Sequence, residues 1–287
     1  MKHESAITRE SALPMPRAGF WVSRVLLILT ALIFLFPLFW MLDTAVKPDN
    51  QVFQSPPALL PTQPHLDNFV QAYQYLPFGH YVLNSLVVAC VGTVIVMFTS
   101  SMAAFAFARL TFRGREAIFV LYLGTLMVPQ AVLVIPSFLL IRYLGWVNSF
   151  QGLILPVAFT AFGTFLMRQF FRSIPVELDE AAYIDGCSKW GIFRRIALPL
   201  SKPALGVLGL FTFIGYWNSF LWPLIVTYSD DVKTIPLGLQ LYQGQYGTKW
   251  NFMMAGCTMA MIPGILLVII LQRYLVEGIS ISGMGGR

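Results

Sequence analysis

Charge is scarce in this chain. Asp, Glu, Lys and Arg make up 11% of the 287 residues against 57% hydrophobic ones, too little polar surface to clothe a water-soluble fold of this size. Cysteine is scarce too. Cys90, Cys187 and Cys257 stand far apart, which excludes a disulfide framework and gives no metal-ligand spacing, so they read as small packing residues. No Gly-x-x-x-x-Gly-Lys-Ser/Thr phosphate loop occurs, so any nucleotide that powers this chain must be bound by another polypeptide. None of the thirteen acidic residues falls near the centre of an apolar run, and Asp43 lies at the outer edge of the first. An ion-driven carrier usually keeps an intramembrane carboxylate despite a cost of about 2.5 kcal/mol or more, and its lack argues against a secondary carrier.

What the chain does have is long apolar runs. Six are of a length to cross a bilayer, which takes about 20 residues of helix: Trp21 to Leu42, Val82 to Phe107, Ala117 to Leu140, Gly152 to Met167, Ala204 to Tyr228 and Phe252 to Leu271. The runs are continuous rather than alternating, which excludes a barrel. The expected fold class is all-α, a polytopic membrane protein with six transmembrane helices. The fourth run is short, and Arg168 at its end is expected to snorkel toward the interface. The first run is too long for a signal-peptide core and reads as a retained span.

Net charge is +6, and its placement matters more than its size. Fifteen of the nineteen basic residues lie in the tail to Arg24, in Arg109 to Arg115, in Arg168 to Lys202 and at the C-terminal end. The other side has Lys47, Arg142, Lys233 and Lys249, so the positive-inside rule puts both termini and the Arg168–Lys202 loop in the cytoplasm. This disposes of the basic balance without nucleic acid. The expected organisation is a cytoplasmic tail (1–19), a first span (20–42), an extracytoplasmic proline-rich connector (43–81), a helical core (82–273) containing a cytoplasmic loop (172–203), and a C-terminal tail (274–287).

The loop is the most specific stretch. It reads SIPVELDEAAYIDGCSKWGIFRRIALPLSKPAL: a helix with Pro175 near its first turn and Glu177, Asp179 and Glu180 at its positive end, running to about Ile184, then a second from Ser188 to Ile196. Ala181 and Ala182 let the first helix lie close against a partner surface, Glu180 offers it a carboxylate, and Gly186 allows a sharp turn. Taken alone, three residues such as Glu-Ala-Ala mark an ordinary solvated helix face.

Together, Glu180, Ala181, Ala182, Asp185, Gly186, Ile196, Leu198 and Pro199 resemble the coupling loop of binding-protein-dependent ABC importer permeases. HLDNFVQAYQYLPFGHYVLNSL, with Asn84-Ser85, resembles that family's approach to its second span, and LQRYLVEGISISGMGG its closing segment, although Met284 or Gly285 stands where the family often has lysine. The likeness covers residues 66 to 283 or so and is similar to the shorter membrane subunit of the maltose-type carbohydrate importers, with a type I ABC importer permease fold. It implies a loop seated in a cleft of a cytoplasmic ATPase, two copies of that ATPase, a second and longer permease, an extracytoplasmic sugar-binding protein, and residence in a bacterial inner membrane. It implies no bond chemistry and no cofactor in this chain, with ATP and magnesium on the ATPase.

Two further groups are candidates. In Gly215-Tyr216-Trp217-Asn218-Ser219-Phe220-Leu221-Trp222-Pro223, aromatic faces beside an amide suit sugar rings, so Tyr216, Trp217 and Asn218 are expected to line the path, with Gln130 beside Pro129. The competing reading is an interfacial aromatic belt, expected for Trp222 and Tyr228. In the loop PLGLQLYQGQYGTKWN, the family resemblance implies contact with the binding protein through Gln243, Gln245 and Tyr246; a flexible polar connector is the alternative. The sequence thus points to a permease importing a sugar. Glycerol phosphate or another polar solute is the alternative cargo, which would call for cations along the path, and span centres show none.

Overall fold

The structure is a computed structural model that describes residues 17–244 and 247–284. The first helix, α1 (Arg17–Ala45), is followed by two short ones, α2 (Asp49–Val52) and α3 (Asp67–Tyr75), and by the unbroken α4 (Phe78–Arg109). Then come α5 (Arg115–Gly124), α6 (Gln130–Tyr143), α7 (Phe150–Ile154) and α8 (Ala161–Ser173), the loop helices α9 (Val176–Ile184), α10 (Lys189–Ile192) and α11 (Leu198–Leu200), and α12 (Lys202–Trp217). The chain closes with α13 (Leu221–Val226), α14 (Ile235–Gln240), a two-stranded hairpin of β1 (Gln243–Gly244) and β2 (Gly247–Thr248), and α15 (Trp250–Met284). The 43–81 connector is therefore partly helical, because Asp67 to Tyr75 carries no proline and opens with an acid.

Among the described residues, three helices are long and apolar enough to cross a membrane unaided, Trp21–Ala45, Phe78–Arg109 and Trp250–Ile270. Three bent pairs complete six crossings if each pair is one span. Here the structure corrects the continuous runs expected from sequence. The third is broken by 101° between Met127 and Gln130, where Val128 is extended and Pro129 has no N–H to carry the ladder on. The fourth bends by 50° at residues 158–160 and continues to Ser173. The fifth stops at Trp217, and the rest of the expected run forms the separate α13; ahead of it, α12 leaves the loop segment Lys189–Leu200 through a 77° bend at Ser201, between Pro199 and Pro203.

α4 lies at the centre, packed against α8 and α12, with α15 outside α12 and α1 outside α15. Glycine makes these crossings close. A Cβ on Gly92 of α4 would stand 2.5 Å from the Tyr216 ring, and one on Gly163 of α8 would stand 2.5 Å from Ser100 Oγ. No residue in the most apolar window of α1 is buried within the chain. Its far end is held by a knot: Lys47 Nζ pairs with Asp43, donates to the Ala58 carbonyl at 2.6 Å and lies over the Trp40 ring. The Asn68 amide then donates to the carbonyls of Ala45 and Lys47, both at 2.9 Å.

Arg168 does not snorkel. It is 4% exposed, donates from Nε to the Phe107 carbonyl at 3.2 Å, and sits 3.9 Å above the Phe119 ring centre. Its charge finds a carboxylate within the chain, that of the exposed Glu116, so the guanidinium itself stays buried.

Candidate functional site

The loop 172–203 folds into a tied-down knob. Pro175, extended, precedes α9, whose first turn carries Glu177 and Asp179 against the positive helix end. α9 stops in a Schellman turn: Gly186 N–H donates to the Tyr183 carbonyl at 3.0 Å, and Cys187 N–H to the Ala182 carbonyl at 2.9 Å. Gly186 has φ +81°, where a side chain costs about 1–2 kcal/mol. Ser188 then caps α10 by accepting from Gly191 N–H at 3.1 Å. Between Phe193 and Ala197 the helix widens into a π turn, just ahead of Pro199, which has no N–H to donate backward.

Two anchors fix the knob to the bundle. Arg109, the last residue of α4, places Nε 3.2 Å from Asp179 Oδ2 and donates from its terminal nitrogen to the Ile174 carbonyl at 2.6 Å. Beneath it, Phe105 packs edge-on to Phe171 and against Phe193, which in turn meets Trp190. Ala182 is 7% exposed and faces this core. Ile196 and Leu198 also pack inward. Glu180, Ala181, Asp185, Gly186 and Pro199 are exposed, beside Tyr183 (69% exposed), Ile184 (84%) and Trp190 (53%). The eight expected residues thus divide into inward packers and an exposed tip. Tyr183, Ile184 and Trp190, which sequence reasoning passed over, add exposed apolar area to the loop, the kind of surface a partner covers. A hollow of about 400 Å³ lies between Arg109, Asp179, Glu180, Tyr183 and Lys189.

The second feature is a cavity of about 590 Å³ bounded by α6, the α7–α8 bend, α12 and α13. Gln130 and Tyr216 line it. Trp217 does not: its indole N–H donates to the Ala260 carbonyl at 3.2 Å, turning the ring toward α15. Asn218 caps α12 at the surface and is not among the lining residues. Trp222, expected in the interfacial belt, is instead buried, donating to the Gly152 carbonyl at 2.9 Å and facing the cavity. Tyr228 is exposed. The lining also includes Ser137, Thr160 and Thr212, which the sequence reading missed, and Ser219, which it noted in the aromatic run without assigning it to the path. Thr212 and Tyr216 stand at i and i+4 on α12, the signal that would have found Thr212. No Asp, Glu, Lys, Arg or His lines the cavity among the described residues.

At the opposite end of α4, the segment 229–235 is held by side chains. Asn84 donates to the carbonyls of Asp231 and Lys233, both at 3.0 Å, Ser85 Oγ accepts from Ile235 N–H at 2.7 Å, and Tyr81 donates to Asp230 at 2.8 Å. Lys233 and then Tyr81, both bonded to Asp230, hold its carboxyl below the usual range. Asn148 gathers the same segment, accepting from the N–H groups of Tyr228 and Ser229. Beyond it, Gln243 is exposed on β1, and burial pushes the Tyr242 hydroxyl, which donates to the Ala72 carbonyl, up to about 12. Gln245 and Tyr246 lie outside the described residues. Among the described residues no cluster of three or more His, Cys, Asp or Glu could hold a metal ion.

Comparisons with known proteins point one way. The family model described as binding-protein-dependent transport system inner membrane component matches residues 95–281. The trehalose/maltose transport system permease protein MalG of Thermococcus litoralis is 36% identical, over 92% of this chain and 98% of that protein. The arabinooligosaccharides transport system permease protein AraQ of Bacillus subtilis is 35% identical, over 89% and 92%. The sn-glycerol-3-phosphate transport system permease protein UgpE of Yersinia pestis is 38% identical, over 89% and 94%. In fold, the chain superimposes with a TM-score of 0.79 on a crystal structure of a bacterial ABC transporter involved in the import of the acidic polysaccharide alginate. That likeness covers 90% of this chain and 96% of the other at 24% identity.

Proposed function

The chain belongs to the family of binding-protein-dependent transport system inner membrane components and is a permease subunit of an ABC importer, and from that premise we propose that its cargo is a neutral sugar. The observation that carries the cargo is the cavity: aromatic faces, an amide and hydroxyls, with no charged side chain on its described lining. Sugars present apolar ring faces and many hydroxyls, which such a surface stacks and hydrogen-bonds. An anionic cargo would gain from arginine or lysine there. A glycerol phosphate reading is favoured by the names of the UgpE relatives, with no cationic side chain on the described cavity lining to match it.

The knob centred on Glu180 is proposed as the seat of a separate cytoplasmic ATPase. Glu180 supplies a charge-assisted contact, Tyr183 and Ile184 the apolar area, and Gly186 the turn that presents them. Two ATPase copies, a second homologous permease and an extracytoplasmic binding protein complete the assembly, in a bacterial inner membrane with the knob and both termini in the cytoplasm. Charge asymmetry supports that orientation. Switching a conformational equilibrium from mostly one state to mostly the other takes about 5.5 kcal/mol of differential binding, so the knob's contacts must change with the ATPase's nucleotide state. ATP and magnesium would sit on the ATPase, and this chain would contribute no cofactor site.

The test is uptake into vesicles bearing both permeases, the ATPase and the binding protein. Sugar uptake that requires ATP and the ATPase subunit is the expected result. Uptake that persists without the ATPase, or that glycerol phosphate abolishes by competition while sugars do not, overturns the proposal.

A further inference from the structure

α4 touches both functional ends of the molecule. Its 32 residues run unbroken for about 48 Å, whereas the pairs Arg115–Met127 with Gln130–Tyr143 and Phe150–Val157 with Ala161–Ser173 are bent by 101° and 50°, and α12 meets the loop helices at 77°. At one end Arg109 holds α9 through Asp179 and the Ile174 carbonyl. At the other, Asn84 and Ser85 hold the backbone of residues 231–235, which leads into α14 and the β1–β2 hairpin. α14 is pressed onto the same end: a Cβ on Gly238 would stand 2.3 Å from the Tyr81 ring. Between the two ends α4 is clasped by α8 and α12 at the glycine crossings, so a displacement along it has little slack to take up.

We propose that α4 is the strut by which the Glu180 face and the Gln243 face sense each other, with Arg109 and Asn84 as positioning residues at its two ends. This rests on the importer reading above. A bent helix pair absorbs axial movement at its break; an unbroken helix fastened at both ends passes it on. Asn84 suits the task because one amide spans two carbonyls, Asp231 and Lys233, so the segment follows the helix as a unit. Arg109 does likewise, gripping a side chain on α9 and the carbonyl just ahead of it.

Coupling between two binding sites is reciprocal, so it can be read as one number: the factor by which ATP with vanadate on the ATPase changes the complex's affinity for the solute-loaded binding protein. The measurement uses the full complex in nanodiscs. Asn84→Asp keeps the size but turns an acceptor toward two carbonyls; it is expected to shrink the coupling factor at least about threefold, out of the 5–150-fold typical of allosteric pairs. ATP hydrolysis without binding protein stays within about twofold, a separation that general destabilisation would not produce. Arg109→Gln is expected to shrink the same factor, and the double variant to lose less than the two losses combined, because both cut one route. Ser85→Ala, which removes the acceptor for Ile235, serves if Asn84→Asp does not fold. An unchanged factor in the outer-end variant, or independent losses in the double variant, overturns the strut. Failure of the importer reading shows elsewhere: the unaltered complex would then give no response to binding protein at all.

Discussion

The terminal nitrogen of Arg168 donates to both carboxylate oxygens of Glu116, at 2.7 and 2.8 Å, joining α8 to α5 at the rim of the bundle. The arginine is buried and the glutamate half exposed, so the two partners are not equivalent. Removing the glutamate strands a buried cation; removing the arginine leaves a carboxylate that water can solvate. Glu116→Ala is therefore expected to lower the Tm in detergent more than Arg168→Met does. The reverse order would show that the pair is not what secures α5.

At the knob, Glu180→Lys is expected to leave membrane insertion intact while weakening ATPase attachment and abolishing ATP-driven uptake. Co-purification of the ATPase with the membrane subunits, scored beside uptake, reads both effects. Normal uptake in this variant would remove Glu180 from the docking surface.

Gly186→Val tests the turn separately from the charge. A β-branched side chain at φ +81° costs at least about 1–2 kcal/mol, and nothing lies within 4 Å of its Cβ, so the penalty is conformational rather than steric. Increased hydrogen exchange confined to α9 and α10, with reduced ATPase attachment, is the expected signature. Exchange spreading through α4 would mean the turn supports the whole bundle.

In the cavity, the Tyr216 hydroxyl already donates to the Ile154 carbonyl at 2.9 Å, so it offers the cargo a ring face rather than a donor. Tyr216→Phe is expected to keep the KM for sugar uptake within about twofold, and to lower the Tm, because an orphaned carbonyl costs about 1–3 kcal/mol. Thr212→Val and Ser219→Ala, at residues that line the cavity, are expected to raise that KM.

At the other face, Asp230 gives a pH dependence with a definite sign. Its folded carboxyl titrates below the ordinary value of about 3.9, because Lys233 and Tyr81 favour the charged form. Its contribution is therefore present above about pH 4 and is lost as pH falls through the lower folded value. Exchange of residues 229–235 compared between the unaltered chain and Asp230→Asn should differ at pH 6 and converge toward pH 3. A difference that grows with acid would contradict the assignment.

The apolar runs and the limits of α9 were legible in the sequence, because bilayer length, Pro175 and Gly186 are local signals. The bends were not: a continuous apolar run carries no phase information, and proline alone does not mark one, since the chain breaks at Pro129 while Pro136 and Pro263 lie inside single helices. Arg168 misled because its partner lies 52 residues away, and a basic residue at a span end reads by default as snorkelling. The Asn84 amide meets carbonyls 147 and 149 residues on, beyond any periodicity. Trp222 and Trp217 each found a backbone carbonyl inside the fold, a choice that aromatic content cannot disclose.

The outermost helix has the least company. With no residue of its most apolar window buried within the chain, α1 leaves most of its surface to lipid or to a neighbouring subunit, and its apolar stretch of 25 residues, about 38 Å, exceeds a hydrocarbon core of about 30 Å. A longer stretch is accommodated by tilt, by a kink at Pro37 or by a thickened bilayer, while the Asp43–Lys47 knot holds one end. Bilayer thickness then becomes a variable this protein registers first through α1.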